Sequence, residues 1–340
     1  MSMFLGMKIN RMDDGSYTMS QSHYIERMAE KFNVNESDKH VDTPVVYGKM
    51  LDSDMCPATN DEKLDAAKLP FQSLVGGLIY AAKTRPDVAF AISDVARFMN
   101  CWGAKHFKAA LRILRYLYMT REKCIHISPN DDKFVLSAYS DANWCDPRES
   151  GDKIDDKYKP KYGFVVFVSG VPVAWTSRRM QSRARSSMES EYYAADETAK
   201  EVLFWRDLLD ELGQTQTKAT KIYEDNKACI SYSKNNTCHA RTKHIYNRAY
   251  ILRDHVRDGD IELLHVDTND QLADMMTKAQ LKHTFLEHTD RIFNGRCAPS
   301  ESTKGGARVG VCHCLSCFVG GAVCEKSEWF DPVLLFDPEW

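Results

Sequence analysis

The sequence predicts an α/β protein in which a mixed β-sheet covered by helices follows a mainly helical module. Up to about residue 125, apolar residues recur three and four positions apart, as along one face of a helix. From Asp132 the pattern changes to the alternation typical of strands, with further helical stretches between them. The chain has 340 residues, of which 43% are hydrophobic, so it can bury two cores and is not mainly disordered.

The first predicted domain spans residues 1–125 and begins with a β-hairpin around the turn Asp13–Gly15. Residues 34–68 are polar, include two prolines and are predicted to form a loop. The other predicted elements are strands Phe4–Ile9 and Ser16–Ser20, a helix over Gln21–Phe32, and helices between residues 71 and 121 with a break at Thr84–Pro86.

The second predicted domain spans residues 132–283 and has the element order β-β-β-α-β-α-α-β-α, which gives a mixed sheet flanked by helices. Its strands are predicted at Phe134–Asp141, Tyr162–Ser169, Val171–Ser177, Lys221–Glu224 and Ile261–Val266. Its helices are predicted at Ser187–Leu212, from about Asn226, at Ile245–Asp258 and at Asp270–Thr277.

Residues 284–340 show no clear periodicity and are predicted to be a poorly ordered tail that contains cysteines. Cys312, Cys314, Cys317 and Cys324 offer soft ligands, but their spacing fits neither a zinc knuckle nor a zinc ribbon, so we do not expect zinc there. Because we recognise no secretory signal and no membrane-spanning run, the cysteines are predicted to be reduced thiols.

Basic residues are concentrated in three windows without any acidic residue, although the net charge of the chain is −3. The windows are Val95–Arg121, Lys157–Met188 and Asn226–Arg253. Segregated positive charge favours a nucleic-acid partner over three merely solvated faces. In the first window, four basic residues form a stripe about 100° from the apolar stripe of the same helix, where phosphates could reach them. They are Lys105, Lys108, Arg112 and Arg115.

Four carboxylates fall at the ends of predicted elements in the second domain. Asp141 ends the first strand and Asp225 follows the fourth, while Glu191 and Asp274 lie near the starts of helices. Side chains at such positions can converge at one edge of a sheet. A carboxylate cluster needs a divalent cation, because its members otherwise repel one another and their pKa values rise. Pairs of Mg²⁺ ions in such clusters contact both the attacking and the leaving oxygens of a phosphodiester.

Two glutamates compete for the ligand position at the start of the long helix. Ser186 is predicted to cap this helix, with Glu189 completing a capping box. Glu191 instead falls within the apolar stripe, where a carboxylate is costly unless a cation compensates its charge. The pattern therefore predicts Glu191 as the ligand.

The same region resembles the ribonuclease H domain of copia-type retrotransposon Pol polyproteins. The matching segments are Tyr139–Trp144, Gly163–Phe167, Trp175–Arg179, Ser186–Tyr192, Glu224–Asn226, Arg241–Ile245 and Gln271–Lys278. Upstream segments resemble the thumb and connection that follow the polymerase palm of the same polyprotein: Phe4–Ile9, Leu74–Tyr80, Thr84–Asp87 and Ala110–Leu117. The resemblance covers about residues 3–285.

This resemblance implies a ribonuclease H-like fold with a five-stranded mixed sheet, and hydrolysis of the RNA strand of RNA–DNA hybrids. The family's acidic ligands fall on Asp141, Glu191, Asp225 and Asp274, which would hold two Mg²⁺ ions, with Mn²⁺ as a substitute. Besides the hybrid, other Pol or reverse transcriptase segments are implied as partners, and a membrane is not. The implied location is the cytoplasm, in virus-like particles, with the nucleus as an alternative. Besides the helix stripe, the residues expected to bind nucleic acid are Arg178, Arg179, Arg241, Lys243 and His244.

Two features depart from the family pattern. The polymerase site needs a Tyr-x-Asp-Asp turn, whereas Asp13 and Asp14 follow Arg11 and Met12 and have the composition of a hairpin turn. With no palm or fingers before it, the chain is expected to be a Pol fragment that cannot polymerise. The loop Asp155–Gly163 also differs from the hydroxyl-rich segment of the family, which changes its expected substrate contacts but not the metal site.

Two other interpretations stay open at the level of sequence. A relic of the element could keep the fold and the basic faces and bind nucleic acid without catalysis. Alternatively, the chain could be a scaffold for a separate reverse transcriptase chain. The presence of all four carboxylates favours the enzyme.

Overall fold

The structure is a computed structural model and describes residues 2–49, 51–128, 134–144, 159–181, 184, 186–234, 246–297 and 299, with residues 246–249 described by their backbone only. These residues form one compact unit. Among them, no helix is long and apolar enough to cross a membrane. The predictions for the loop before Lys159, for Arg241, Lys243 and His244, and for the tail from residue 301 lie outside the described residues.

Residues 2–128, here called the first module, combine a small antiparallel sheet with helices. The strand order in this sheet is β1-β2-β3-β4. The elements are β1 Ser2–Phe4, β2 Met7–Arg11, β3 Tyr17–Ser20, α1 Ser22–Lys31, α2 Asn60–Ala67, α3 Phe71–Ala81, α4 Ala89–Ala96, α5 Ala104–Met119 and β4 Ile125–Ile127.

Residues 134–299, the second module, contain a five-stranded sheet with the order β7-β6-β5-β8-β9. Strands β7, β6 and β5 pair antiparallel, whereas β5, β8 and β9 pair parallel, so the predicted mixed five-stranded sheet is confirmed. The elements are β5 Leu136–Asn143, β6 Lys161–Val168, β7 Val171–Arg179, α6 Ser187–Glu211, β8 Thr220–Glu224, α7 Lys227–Lys234, α8 Tyr246–Asp258, β9 Ile261–His265, α9 Asp274–Thr277 and α10 Lys282–Phe293.

The two faces of this sheet belong to different cores, because successive side chains of a strand point to opposite faces. On one face, Ala138 and Val166 pack in a core with residues of α6 and α8. On the opposite face, Tyr139, Val165 and Phe167 belong to a core that continues through α9 and α10 into the helices of the first module. The first module therefore closes one face of the sheet.

Polar contacts also join the two modules. The indole Nε1 of Trp175 on β7 donates to the carbonyl oxygen of Ala82, at 3.0 Å. The buried ammonium of Lys161 on β6 donates to the buried carboxylate of Asp94 on α4, at 2.9 Å, and Arg97 bonds the same oxygen at 3.0 Å. Such a buried ion pair keeps its geometry because either charge alone would be costly to bury.

The structure corrects the sequence predictions in two places. Residues 284–293, which were predicted as tail, belong to α10, and this helix buries Phe285 and Ile292. Residues 60–67, which were predicted as part of a loop, form α2, where Thr59 and Glu62 make a capping box. In addition, β1 and β4 extend the predicted hairpin to four strands.

Candidate metal centre

Three of the four predicted ligands converge. One carboxylate oxygen each of Asp141, Glu191 and Asp225 lies within 4.8 Å of the others. Asp141 and Glu191 are buried, and Asp225 is half-buried. The pairing of the sheet explains this convergence for the two aspartates, because β5 and β8 run parallel with Tyr139 opposite Tyr223. Each aspartate follows two residues later, so both lie at the same edge of the sheet.

The third ligand reaches this edge from α6. The hydroxyl of Ser186 accepts the backbone N–H of Glu189, at 3.2 Å, so the predicted N-cap of the helix is confirmed. Glu191 lies in the next turn and is only 7% exposed, as the apolar stripe predicted. Its Oε2 accepts the backbone N–H of Ala142 at 2.7 Å, which fixes the carboxylate beside the end of β5.

Asp274 adjoins this cluster from α9, of which it is the first residue. The helix approaches β6 at Gly163, the residue that pairs with Asp141. A Cβ at position 163 would lie 2.3 Å from the Cβ of Met276, so this close approach requires glycine. The carboxyl of Asp274 interacts with that of Asp141, and the ammonium of Lys278 lies 2.8 Å from Oδ1 of Asp274.

Burial and repulsion by neighbouring carboxylates raise the pKa values of Asp141, Glu191 and Asp274. The pKa of Glu191 lies well above its ordinary value, first because of burial and then because Glu224 and Asp141 repel its charge. Burial and the charge of Asp141 raise the pKa of Asp274 to about 8, although Lys278 opposes the shift. A cluster of buried carboxyls with raised pKa values is neutralised either by protons or by a bound cation. Its donors are hard oxygen atoms, which suit Mg²⁺ and Mn²⁺.

Glu224, the last residue of β8, is a buried carboxylate that the sequence analysis missed. Its Oε1 accepts the backbone N–H of Asn226 at 3.2 Å, while Oε2 is buried without a hydrogen-bond partner among the described residues. Burial and the charges of Asp141 and Asp225 raise its pKa. The alternation of β8 could have revealed this residue, because Thr220, Ile222 and Glu224 lie on the buried side of the strand. An orphaned buried oxygen beside the cluster again indicates a place for positive charge.

The four basic residues of the stripe on α5 differ in their surroundings: two contact the polar segment that follows α1, and two are exposed. The guanidinium of Arg112 donates to Oγ1 of Thr43 at 3.3 Å, and that of Arg115 lies 3.4 Å from Oδ1 of Asp38. These two arginines therefore help to fix residues 38–43 on the helix. The other two members of the stripe are exposed: Lys105 and Lys108.

Arg178 and Arg179 end β7 at the same edge of the sheet as the carboxylates. Arg179 pairs with Lys161 of β6, and Lys161 pairs with Asn143 of β5, two residues after Asp141. The side chain of Arg178 is exposed. Positive charge thus lies at the same end of the sheet as the carboxylates, two strands away from Asp141.

No family model matches the chain. Among solved structures, it is similar to LC11-RNase H1 isolated from compost, with a TM-score of 0.32, 12% identity and coverage of 42% of this chain and 92% of the other. It is also similar to the foamy viral protease-reverse transcriptase in complex with dsDNA, with a TM-score of 0.40, 13% identity and coverage of 78% of this chain and 45% of the other.

Sequence relatives cover most of the chain. The retrovirus-related Pol polyprotein from transposon TNT 1-94 of Nicotiana tabacum is 40% identical over 283 residues, which are 83% of this chain and 20% of the relative. That from transposon RE1 of Arabidopsis thaliana is 33% identical over 301 residues, 87% of this chain and 19% of the relative. The chain thus spans about a fifth of the length of these relatives. Its second module has the mixed five-stranded sheet that the resemblance predicted. The chain belongs to the retrovirus-related Pol polyproteins of copia-type transposons.

Proposed function

We propose that the chain is a ribonuclease H, which hydrolyses the RNA strand of RNA–DNA hybrids with the help of two divalent metal ions. The observation that supports this proposal is the convergence of Asp141, Glu191 and Asp225 at one sheet edge, with Asp274 beside them. The family and the fold support the coarser statement that this is a nucleic-acid-processing domain of the ribonuclease H type.

The four carboxylates would hold the ions, Mg²⁺ in the first instance and Mn²⁺ as a substitute. When bound, such a pair of ions would supply an activated water for in-line attack and would offset the charge on the leaving 3′-oxygen, so that the cut would leave a 5′-phosphate. Asp141 and Asp225 present their oxygens from neighbouring strands. The N–H of Ala142 orients Glu191 for the same task. No side chain is needed as a general base in this scheme.

Exposed basic residues would bind the two backbones of the hybrid: Arg178, at the same end of the sheet as the cluster, and Lys105 and Lys108 on α5. Recognition of the RNA strand would rest on 2′-hydroxyls in an A-form-like minor groove. Other segments of the Pol polyprotein are proposed as further partners. The proposed site of action is the cytoplasm, within virus-like particles.

The test is cleavage of a labelled RNA–DNA hybrid by the purified full chain, with Mg²⁺ and with a chelator. We expect cuts in the RNA strand that stop with the chelator, while duplex DNA and single-stranded RNA stay intact. Asp141→Asn is the matched inactive control, and it should still bind the hybrid. Binding without cleavage by the unaltered protein would favour the non-catalytic relic, and equal cutting of single-stranded RNA would exclude ribonuclease H specificity.

A further inference from the structure

Thr277, the last residue of α9, is fully buried and makes a direct contact with the acidic cluster. Its hydroxyl donates to Oδ2 of Asp141. Among the described residues, the other acceptor for this hydroxyl is the carbonyl oxygen of Asp274, at 3.3 Å. The contact joins residues 136 positions apart in the chain. It is therefore a tertiary feature of the site and not a local helix-terminal hydrogen bond.

The geometry of α9 brings this hydroxyl to the site. Residues three positions apart lie on the same side of a helix, so Asp274 and Thr277 both face the cluster. Met276, between them, packs onto Gly163 of β6, and this close approach sets the distance of the helix from Asp141. One short helix thus contributes a carboxylate and a hydroxyl donor to the same place.

Asp141 depends on such a donor more than the half-buried Asp225 does. Asp141 is only 3% exposed, and water cannot replace a lost partner at that depth. Asp225 offers the contrast: its Oδ2 accepts from the hydroxyl of Thr268 at 3.2 Å, but Thr268 is exposed. A carboxylate held by a hydroxyl on one oxygen keeps a defined orientation and leaves its remaining lone pairs for a cation.

We propose that Thr277 is a positioning residue for Asp141, which holds this carboxylate in the orientation that binds the divalent metal ion. This inference rests on the proposed function, because it assumes that Asp141 is a metal ligand. It differs from a packing role, in which the methyl group and the volume of Thr277 would matter and the hydroxyl would not.

The experiment measures Mn²⁺ binding to the full chain by electron paramagnetic resonance, with circular dichroism melting in a chelator as the folding control. Thr277→Val removes the hydroxyl and keeps the shape, and should weaken Mn²⁺ affinity about 10- to 100-fold. Thr277→Ser keeps the hydroxyl and should bind like the unaltered protein. Thr277→Ala and Thr277→Ser differ from each other only by the hydroxyl. Comparison of their Mn²⁺ affinities therefore tests the inference even if Thr277→Val does not fold.

Thr289→Val is the matched control, because Thr289 is also fully buried but its hydroxyl has no hydrogen-bond partner among the described residues. It should leave Mn²⁺ affinity unchanged. Equal affinity of folded Thr277→Val and unaltered protein would overturn the inference, as would an equal loss in the serine and alanine variants. Asp141→Asn separates the proposed function from the inference. If it binds Mn²⁺ as well as the unaltered chain, Asp141 is not a ligand and both proposals fail.

Discussion

Glu189 and Glu191 stand two residues apart on α6, but their surroundings give them different roles. Glu191 is buried beside two other carboxylates, whereas the backbone N–H of Glu189 is capped by Ser186 independently of its own side chain. We expect Glu191→Gln to abolish hybrid cleavage without loss of stability, because glutamine carries no buried charge and its oxygen can still accept from Ala142. Glu189→Gln should retain activity and change the free energy of unfolding by less than about 1 kcal/mol. The opposite pattern in a cleavage assay would show that Glu189 is the ligand.

The raised pKa of Asp274 predicts how the stability of the metal-free protein depends on pH. Its pKa rises from 3.8 to about 8 in the folded state. Between these values the folded protein holds a proton that the unfolded chain has released, so this residue's contribution to stability is lost as the pH rises. Mg²⁺ should oppose the loss, because it binds the deprotonated cluster.

Melting temperatures from about pH 5 to about pH 8, measured in a chelator, test this dependence. Other groups titrate in the same range, so the informative quantity is the difference between the unaltered protein and Asp274→Asn. This variant should gain relative stability as the pH rises. A difference that is independent of pH would show that Asp274 is not protonated in the folded state.

The four carboxylates could be predicted from the sequence because strand ends and helix starts can be read from periodicity, and the family resemblance selected the same residues. The sequence analysis missed Glu224 because Asp225 follows it directly, and one of two adjacent acidic residues usually faces solvent. Thr277 could not be found in this way. Its contact with Asp141 depends on the approach of α9 to Gly163, which no local pattern encodes.

At the level of elements, the position of α9 depends on Gly163. A Cβ there would meet the Cβ of Met276 at 2.3 Å and the carbonyl oxygen of Thr176 at 3.0 Å. Gly163→Ala should therefore push α9 away, lower stability by about 1–3 kcal/mol and weaken metal binding. Gly76→Ala on α3 is the control, because a Cβ at that position has no neighbour within 4 Å, and it should stabilise the helix by about 0.5–1 kcal/mol. Denaturant unfolding of both variants measures these changes, and an unchanged midpoint for Gly163→Ala would contradict the prediction.

The division of the basic stripe on α5 predicts two different phenotypes. Lys105 and Lys108 are exposed, so replacing both by alanine should reduce the slope of log K against log salt for hybrid binding by about 2. Arg112→Ala should instead lower the melting temperature, because this guanidinium fixes Thr43. If the salt slope of the double lysine variant matches that of the unaltered protein, this face does not contact phosphate.

The elements of the second module were largely predictable because their apolar residues follow the strand or helix period. Helix α10 was missed because its buried face includes polar residues. His288 bonds the carbonyl oxygen of Asn269 at 3.0 Å, and Arg291 bonds Asp270 at 2.8 Å. Hydrogen bonds to specific tertiary partners offset the energetic cost of burying such residues, and an apolar pattern does not reveal those partners. Helix α2 was missed because only Ala66 is buried in it, although the capping box at Thr59 and Glu62 was a readable signal.

For the whole molecule, the shared core determines which parts of the chain can be separated. The predicted boundary between residues 125 and 132 stays a prediction. The structure adds that the face of the sheet carrying Val165 and Phe167 is continuous with the core of the first module. At the other end, the hydroxyl of Tyr139 donates to the carbonyl oxygen of Cys297, so a cut placed before this residue would disturb β5.

Removal of the first module should expose one side of the sheet. Trp175 would lose its contact with Ala82, Phe285 would lose the ring of Tyr116 at 5.8 Å, and Lys161 would lose Asp94. Each large apolar side chain that becomes exposed costs about 1.5–3 kcal/mol, so a few of them consume the stability of an ordinary domain. We expect a chain of residues 132–299 to aggregate or to melt at a much lower temperature than a chain of residues 1–299. Both chains lack the segment from residue 300, so the comparison isolates the first module. Calorimetry and light scattering would measure the difference. A monomeric 132–299 chain that melts at the same temperature as the 1–299 chain would mean that the sheet is stable without the first module.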